Sequence, residues 1–114
     1  MQFQEKQIAN ILALNPSVKR IDASVALKFK EFILERINMG NVKIILDLTG
    51  VDFIDSSGLG AIVACLKVLK GKGYLVICGL SETVSTLFSL TRMDKAFRIF
   101  TTEEDALKIF QSDL

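Results

Sequence analysis

The residues best suited to chemistry lie in one stretch, Asp52 to Val63, which reads DFIDSSGLGAIV. Two aspartates, two adjacent serines and two glycines stand there between an apolar run and a helical pattern. Serine hydroxyls act as nucleophiles or receive phosphate, and closely spaced glycines let backbone N–H groups approach a bound phosphate. The stretch is therefore compatible with four kinds of site: a hydrolase nucleophile, a nucleotide-binding loop, a helix cap or a modification site.

A hydrolase nucleophile is disfavoured because the chain of 114 residues contains no histidine to act as its base. The Gly-x-Ser-x-Gly spacing of a nucleophile elbow is absent around Ser56 and Ser57, and no Ser-x-x-Lys occurs. Histidine is also the commonest metal ligand in proteins. We therefore expect neither a catalytic residue nor a metal site in this chain.

A nucleotide-binding loop is disfavoured by the glycine spacing. Gly58-Leu59-Gly60 supplies only part of a dinucleotide fingerprint, since Val63 occupies the position of its third small residue. No Gly-Lys-Ser or Gly-Lys-Thr of a P-loop occurs either.

A helix cap accounts for part of the stretch. Either Asp55 or Ser56 can accept hydrogen bonds from the first N–H groups of a helix. Gly58 and Gly60 would let that helix pack closely against a neighbouring strand. A cap alone explains neither two successive serines nor glycines in a first helical turn, where each costs about 0.5–1 kcal/mol relative to alanine.

A modification site explains the serines as well. A phosphate on a serine adds about −1.5 to −2 charges, and the N–H groups and positive dipole end of a helix start can receive it. Asp55, Asp52 and Asp22 would surround the new charge with like charge. The predicted result is a changed surface potential on an unaltered fold, which would switch off a binding face.

Composition argues against other classes of function. The chain has 14 basic and 13 acidic residues, so no field of one sign is available to hold nucleic acid or a membrane surface. Cys65 and Cys78 each lie in an apolar run, which predicts two buried thiols in a reducing compartment. The start MQFQEKQIAN lacks the apolar region of a signal peptide, and no apolar stretch could span a bilayer. We expect a cytoplasmic domain.

Strands and helices alternate along the chain from residue 7 onward. The apolar and β-branched runs predict strands over 2–6, 8–14, 43–49, 74–80 and 96–101. Helical periodicity predicts a helix capped by Asp22 and ended at Met39-Gly40, a second over 57–70, a third capped by Ser81 and a last one from Thr102 to about Gln111. This order predicts an α/β fold: one domain over residues 1–114, with a mixed, largely parallel sheet of four to five strands and about four helices mainly on one face.

Two runs, ILDLTGVDFIDSSGLGAIV and LVICGLSETVSTLFSLTRMDKAFRIFTTEEDAL, resemble the STAS domain, the fold of bacterial anti-sigma-factor antagonists. In that family an apolar strand ends in Asp-Ser-Ser/Thr-Gly-Leu-Gly at the start of a helix. The resemblance covers nearly the whole chain. It implies phosphorylation of the serine directly after the aspartate, which here is Ser56.

The resemblance also implies a partner-binding face. Asp22, followed by Ala26 and Phe29, matches the aspartate that precedes the first helix of the family and would lie near the phosphorylation loop. The residues that the resemblance assigns to partner binding are Asp22, Asp55, Ser57, Gly58, Leu59 and Gly60. One segment departs from the family: NPSVKRID has Lys-Arg-Ile-Asp where members usually carry Gly-Glu-Leu-Asp. We assign no function to Lys19, Arg20, Lys67, Lys70 or Lys72, which read as solvated surface charges.

The function that the resemblance implies is a switch in sigma-factor control. The unmodified protein would bind an anti-sigma factor that is a serine kinase, and so release a sigma factor. The kinase would phosphorylate Ser56, and a metal-dependent serine phosphatase would reset the cycle. ATP and metal belong to these partners, so we expect no cofactor, nucleic-acid contact or membrane insertion of the chain itself. The alternative keeps the fold without the switch, as a STAS subunit of a transporter or scaffold complex.

Overall fold

Seven strands and five helices make up the structure, a computed structural model that describes residues 1–112. In chain order the elements are β1 (Gln4–Ile8), β2 (Ile11–Asn15), β3 (Arg20–Ile21), α1 (Ala26–Asn38), β4 (Lys43–Asp47), β5 (Phe53–Ile54), α2 (Ser56–Leu69), β6 (Tyr74–Cys78), α3 (Glu82–Leu90), α4 (Met93–Ala96), β7 (Arg98–Phe100) and α5 (Glu103–Gln111). Five strands form the main sheet in the order β1-β2-β4-β6-β7. β1 is antiparallel to β2, and the other neighbours are parallel.

The central strands are apolar on both faces because helices cover both. Successive side chains of a strand point to opposite faces of a sheet. In β4, Ile44 and Leu46 pack into the larger core with α1, α2 and α3, whereas Ile45 packs into a smaller core with α5. Strands buried in this way read as unbroken apolar runs, which is why β4 and β6 were recognisable in the sequence.

The predicted fold class is confirmed: the sheet is mixed and largely parallel, and the helices lie mainly on one face. Two features, comprising three short elements, were not predicted. One is α4, a single turn at Met93–Ala96, and the other is a separate parallel pair formed by β3 and β5. Elements of two to four residues are too short to leave a periodic pattern.

The prediction of one strand over residues 8–14 is wrong. Ile8 and Ile11 are opposite each other in an antiparallel hairpin, so the run IANILAL turns back on itself. The turn consists of Ala9 and Asn10, and Ala9 adopts a φ of +53°. Alanine rarely takes a left-handed conformation, so Ala9 gave no signal for this turn, and Asn10 was the only turn-favouring residue in the run IANILAL.

Three predicted helix boundaries are confirmed. The hydroxyl of Ser81 accepts a hydrogen bond from the N–H of Val84 at 3.2 Å, and Thr102 caps α5 in the same manner. Gly40, with a φ of +102°, follows the last residue of α1 and its cap, Met39. No helix within residues 1–112 has the length and apolarity to cross a membrane.

The prediction of two buried thiols is confirmed. Cys65 faces the larger core and Cys78 the smaller one, and both are free. Burial raises the pKa of Cys65 to about 11 and the pKa of Cys78 to about 12. Both side chains therefore remain neutral thiols near neutral pH and pack as small apolar groups.

Candidate functional site

The serine pair follows a short parallel ladder that is separate from the main sheet. In this ladder, β3 pairs with β5 and Ile21 lies opposite Ile54. The N–H of Asp55 extends the ladder by donating to the carbonyl oxygen of Ile21 at 3.3 Å. Ile21, and Asp22 directly after it, are thereby held beside the start of α2.

Asp55 caps the helix that carries the serines. Its carboxylate accepts a hydrogen bond from the N–H of Gly58 at 3.0 Å, and its carbonyl accepts one from the N–H of Leu59 at 2.9 Å. The sequence left Asp55 and Ser56 as alternatives for this cap, and the structure selects Asp55. The Ser56 hydroxyl therefore has no capping role.

Gly58 allows α2 to approach the ladder closely. A Cβ at this position would overlap the carbonyl oxygen of Ile21 and lie 2.9 Å from its Cγ2. A Cβ at Gly60 would meet nothing within 4 Å. The prediction that both glycines serve close packing is thus confirmed for Gly58 and wrong for Gly60, which lies on the exposed side of the helix.

Ser56 and Ser57 are the first two residues of α2, and both are exposed. Within residues 1–112, no hydrogen bond engages either hydroxyl. Their backbone N–H groups precede the first intrahelical hydrogen bonds, and the carboxylate of Asp55 is taken by Gly58. Two hydroxyls therefore stand beside two N–H groups at the positive end of the helix dipole.

Asp22 does not cap α1, so that prediction is wrong. The helix begins at Ala26, and the residue at its cap, Val25, makes no side-chain cap. Instead the carboxylate of Asp22 accepts hydrogen bonds from the N–H and the hydroxyl of Ser24, at 3.0 and 2.5 Å. These bonds, together with Arg20 at 3.6 Å, lower the pKa of Asp22. The carbonyl oxygen of Asp22 also accepts hydrogen bonds from the N–H groups of Val25 and Ala26, at 3.1 and 2.9 Å, so Asp22 closes a turn that leads into α1.

Arg20 has defined contacts, although it reads in the sequence as a solvated surface charge. Its guanidinium carbon lies 4.2 Å from the ring centre of Phe53, its partner across the β3–β5 ladder. The same side chain is the ion-pair partner of Asp22. Arg20 and Phe53 are far apart in sequence and meet only in the tertiary structure, so sequence spacing carried no signal for their contact.

A shallow groove of about 270 Å³ opens beside Ser57, between the first turns of α1 and α2. Small side chains form most of it, and Leu27 and Lys30 stand at its edge; its lining consists of Ala23, Ala26, Leu27, Lys30, Ser57 and Ala61. Leu27 is 61% exposed. The exposure of Leu27 could have been predicted from the sequence, because Leu27 lies outside the apolar repeat by which α1 packs against the core.

The arrangement suits a hydroxyl that receives a group from another protein. Ser56 is accessible, is fixed by a rigid helix start and has no histidine beside it. Among residues 1–112, no three His, Cys, Asp or Glu side chains are grouped closely enough to hold a metal ion.

The model of the STAS domain family matches residues 2–106. The chain belongs to the STAS domain family. A Thermotoga neapolitana protein, provisionally named an anti-sigma factor antagonist, is 32% identical over 111 residues, which cover 96% of this chain and 97% of the relative. The anti-sigma-B factor antagonist of Listeria monocytogenes is 34% identical over 84 residues, or 73% of this chain and 74% of that protein.

Solved STAS structures share this fold. The crystal structure of a Thermotoga maritima protein, also provisionally named an anti-sigma factor antagonist, superimposes with a TM-score of 0.89 at 28% identity. The match covers 96% of this chain and 95% of that one.

Two further likenesses concern the fold alone. The phosphorylated form of SpoIIAA, a Bacillus cell fate determinant, has a TM-score of 0.71 at 20% identity, covering 96% of this chain and 99% of that one. The murine anion transporter Slc26a9 has a TM-score of 0.80 at 17% identity, covering 95% of this chain and 19% of the transporter. The STAS fold therefore occurs in a protein that is phosphorylated and in a membrane transporter.

Proposed function

We propose that this chain is an anti-sigma factor antagonist whose affinity for an anti-sigma factor serine kinase is lowered by phosphorylation of Ser56. The observation that carries the proposal is the Ser56 hydroxyl, which is exposed at the start of a helix fixed by Asp55 and Gly58. The names of the relatives in Thermotoga and Listeria support the antagonist role.

The chain acts in this cycle as a binding protein and a substrate, not as an enzyme. Unmodified, it binds the kinase and so frees the sigma factor. In the phosphorylation step, the Ser56 oxygen forms a bond to the γ-phosphorus of the kinase's ATP, the bond to ADP breaks, and the hydroxyl proton passes to a base of the kinase. A metal-dependent serine phosphatase removes the phosphate. We place the cycle in the cytoplasm.

The partner-binding face surrounds Ser56. We assign to it Asp22, Asp55, Ser57, Gly58, Leu59 and Gly60, with the groove beside Ser57 as its apolar part. Gly58 contributes by setting the position of α2 against Ile21. A phosphate on Ser56 adds about −1.5 to −2 charges next to the carboxylates of Asp22 and Asp55. A partner surface that complements the unmodified face would then be repelled.

The fold of Slc26a9 supports a second candidate, a STAS subunit of a transporter complex without a phosphoswitch. A subunit of that kind has no need of a serine hydroxyl at position 56. Copurification of the chain with transporter subunits, together with the absence of phosphate on Ser56, would favour this candidate.

Phosphopeptide mapping tests which serine is modified. We expect the chain purified from its own cells, or treated with its kinase and Mg-ATP, to carry one phosphate on Ser56. Ser56→Ala should abolish incorporation, whereas Ser57→Ala, one residue along the same helix start, should retain it. Ser56→Ala should still bind the kinase, and Ser56→Asp should bind it more weakly. The proposal fails if the kinase binds the chain yet leaves Ser56 unmodified.

A further inference from the structure

A second cavity, of about 560 Å³, lies at the opposite end of α2 from Ser56. Helix α2 is 14 residues long, so the two ends are about 20 Å apart. The cavity is bounded by the last turns of α2, the Gly71–Gly73 turn, the start of β6, α4 and the first residue of β7. It shares no residue with the site around Ser56.

The pairing of the strands leaves this cavity open. β7 pairs with β6 only from Val76 to Cys78, so Tyr74 and Leu75 have no strand partner on that side. The single turn of α4 stands where a longer β7 would lie. The turn before β6 is held by two backbone hydrogen bonds, from the N–H of Gly73 to the carbonyl oxygen of Leu69 at 2.8 Å and from the N–H of Tyr74 to that of Val42 at 2.7 Å. The opening is therefore built into the backbone.

The cavity combines an apolar wall with a cationic rim. Val63, Leu66, Leu75 and Met93 supply apolar surface, and Lys67, Lys70 and Arg98 supply three positive charges. No aspartate or glutamate among the described residues lines it. Within residues 1–112, none of the three cations forms an ion pair. The whole chain carries a net charge of only +1, so this excess is local.

We propose that this cavity binds a small amphipathic carboxylate, with its apolar body against Leu66 and Met93 and its carboxylate near Lys67, Lys70 and Arg98. The volume lies within the range of about 300–1,000 Å³ that is typical of small-molecule sites, and the apolar lining with a few polar groups is typical as well. The charges select an anion over a cation or a neutral molecule. This site does not depend on the function proposed for Ser56.

Decanoate is the probe for the test, added below its micelle concentration to the ¹⁵N-labelled full chain. We expect saturable amide shifts confined to residues 63–76 and 93–98, with the amides of residues 55–60 unchanged. Affinity should rise severalfold with each two carbons from hexanoate to decanoate, because each buried methylene adds to binding. Decyltrimethylammonium, a cation with the same chain, should bind at least tenfold more weakly.

Charge-reversal variants separate a specific site from surface binding. Lys67→Glu with Lys70→Glu should weaken decanoate binding at least tenfold, and circular dichroism should confirm that the variant folds. Lys28→Glu with Lys108→Glu makes the same change in net charge at exposed positions outside the cavity and should leave the affinity within twofold. The proposal would be overturned by equal losses of decanoate affinity in the two double variants, by amide shifts spread over the surface, or by equal binding of decyltrimethylammonium.

Discussion

At the scale of single residues, one set of residues fixes the start of α2 and another presents the hydroxyls, although both sets are adjacent in the sequence. Asp55 and Gly58 fix the helix start, the first as its cap and the second by its close approach to Ile21. Ser56 and Ser57 contribute no side-chain hydrogen bond within the described chain and project into solvent. The framework of the site is therefore independent of the hydroxyl on which the proposed phosphate is placed.

The two glycines of α2 provide a matched test of this framework. Gly58→Ala should lower the free energy of unfolding by at least about 2 kcal/mol, because the new methyl group overlaps a backbone carbonyl that cannot rotate away. Gly60→Ala should raise it by about 0.5–1 kcal/mol, since that position is open and alanine favours the helix. Urea unfolding measures both. Equal stabilities for the two variants would contradict the close approach of α2 to Ile21.

At the scale of elements, the edge strand β1 is attached to α1 by two kinds of contact. Phe3, just before β1, stacks on Phe32 at a ring-centre distance of 4.0 Å. Arg36 covers the same Phe32 ring at 4.2 Å and binds both carboxylate oxygens of Glu5, at 2.7 and 3.1 Å. Within the described residues β1 pairs with one strand, β2, so these contacts with α1 supply part of the stabilisation that pairing with a second strand would provide.

The Glu5–Arg36 pair predicts a pH dependence. The Arg36 hydrogen bonds lower the pKa of Glu5 below its ordinary value of 4.5, so its contribution is complete above that pH and is lost as the pH falls through the folded-state pKa. The pair is partly exposed, so Glu5→Gln should lower the free energy of unfolding by about 0.2–1 kcal/mol at pH 7. Urea unfolding should show this difference shrinking at pH 3.

Glu31→Gln serves as the control for that experiment, because Glu31 is an exposed residue of α1 outside every ion pair within residues 1–112. Glu31→Gln should change the free energy of unfolding little at either pH. A loss of stability for Glu5→Gln that is the same at pH 3 and pH 7 would rule out the charge of Glu5 as its cause.

The strands and helices also differ in how well they could be predicted from the sequence. Buried parallel strands and capped helices leave strong local patterns, so β4, β6, α2, α3 and α5 were predicted close to their observed bounds. The hairpin at Ala9 was missed because alanine gives no turn signal, although the contact itself is local. The β3–β5 ladder and the stack of Arg20 on Phe53 depend on contacts distant in sequence. At the site, the family resemblance predicted Ser56 as the phosphorylated residue, and that stays a prediction. Helix-cap chemistry left Asp55 as one of two candidates for the cap, and the structure selects it.

At the scale of the whole molecule, α2 connects two distinct surfaces. Its start carries Ser56 and the proposed partner-binding face, and its last turns border the cationic cavity. The larger core beneath α2 is apolar, and the described chain contains no buried polar or charged residue. A phosphate on exposed Ser56 should therefore leave the fold unchanged and alter only the surface potential around it.

The most direct test of the proposed switch is the affinity of the purified kinase for the chain with and without phosphate on Ser56, measured by calorimetry. We predict that phosphorylation weakens binding at least tenfold, which corresponds to about 1.4 kcal/mol, while the circular dichroism spectrum of the chain stays the same. Equal affinities for the two forms would contradict the switch. So would a loss of binding that is accompanied by unfolding.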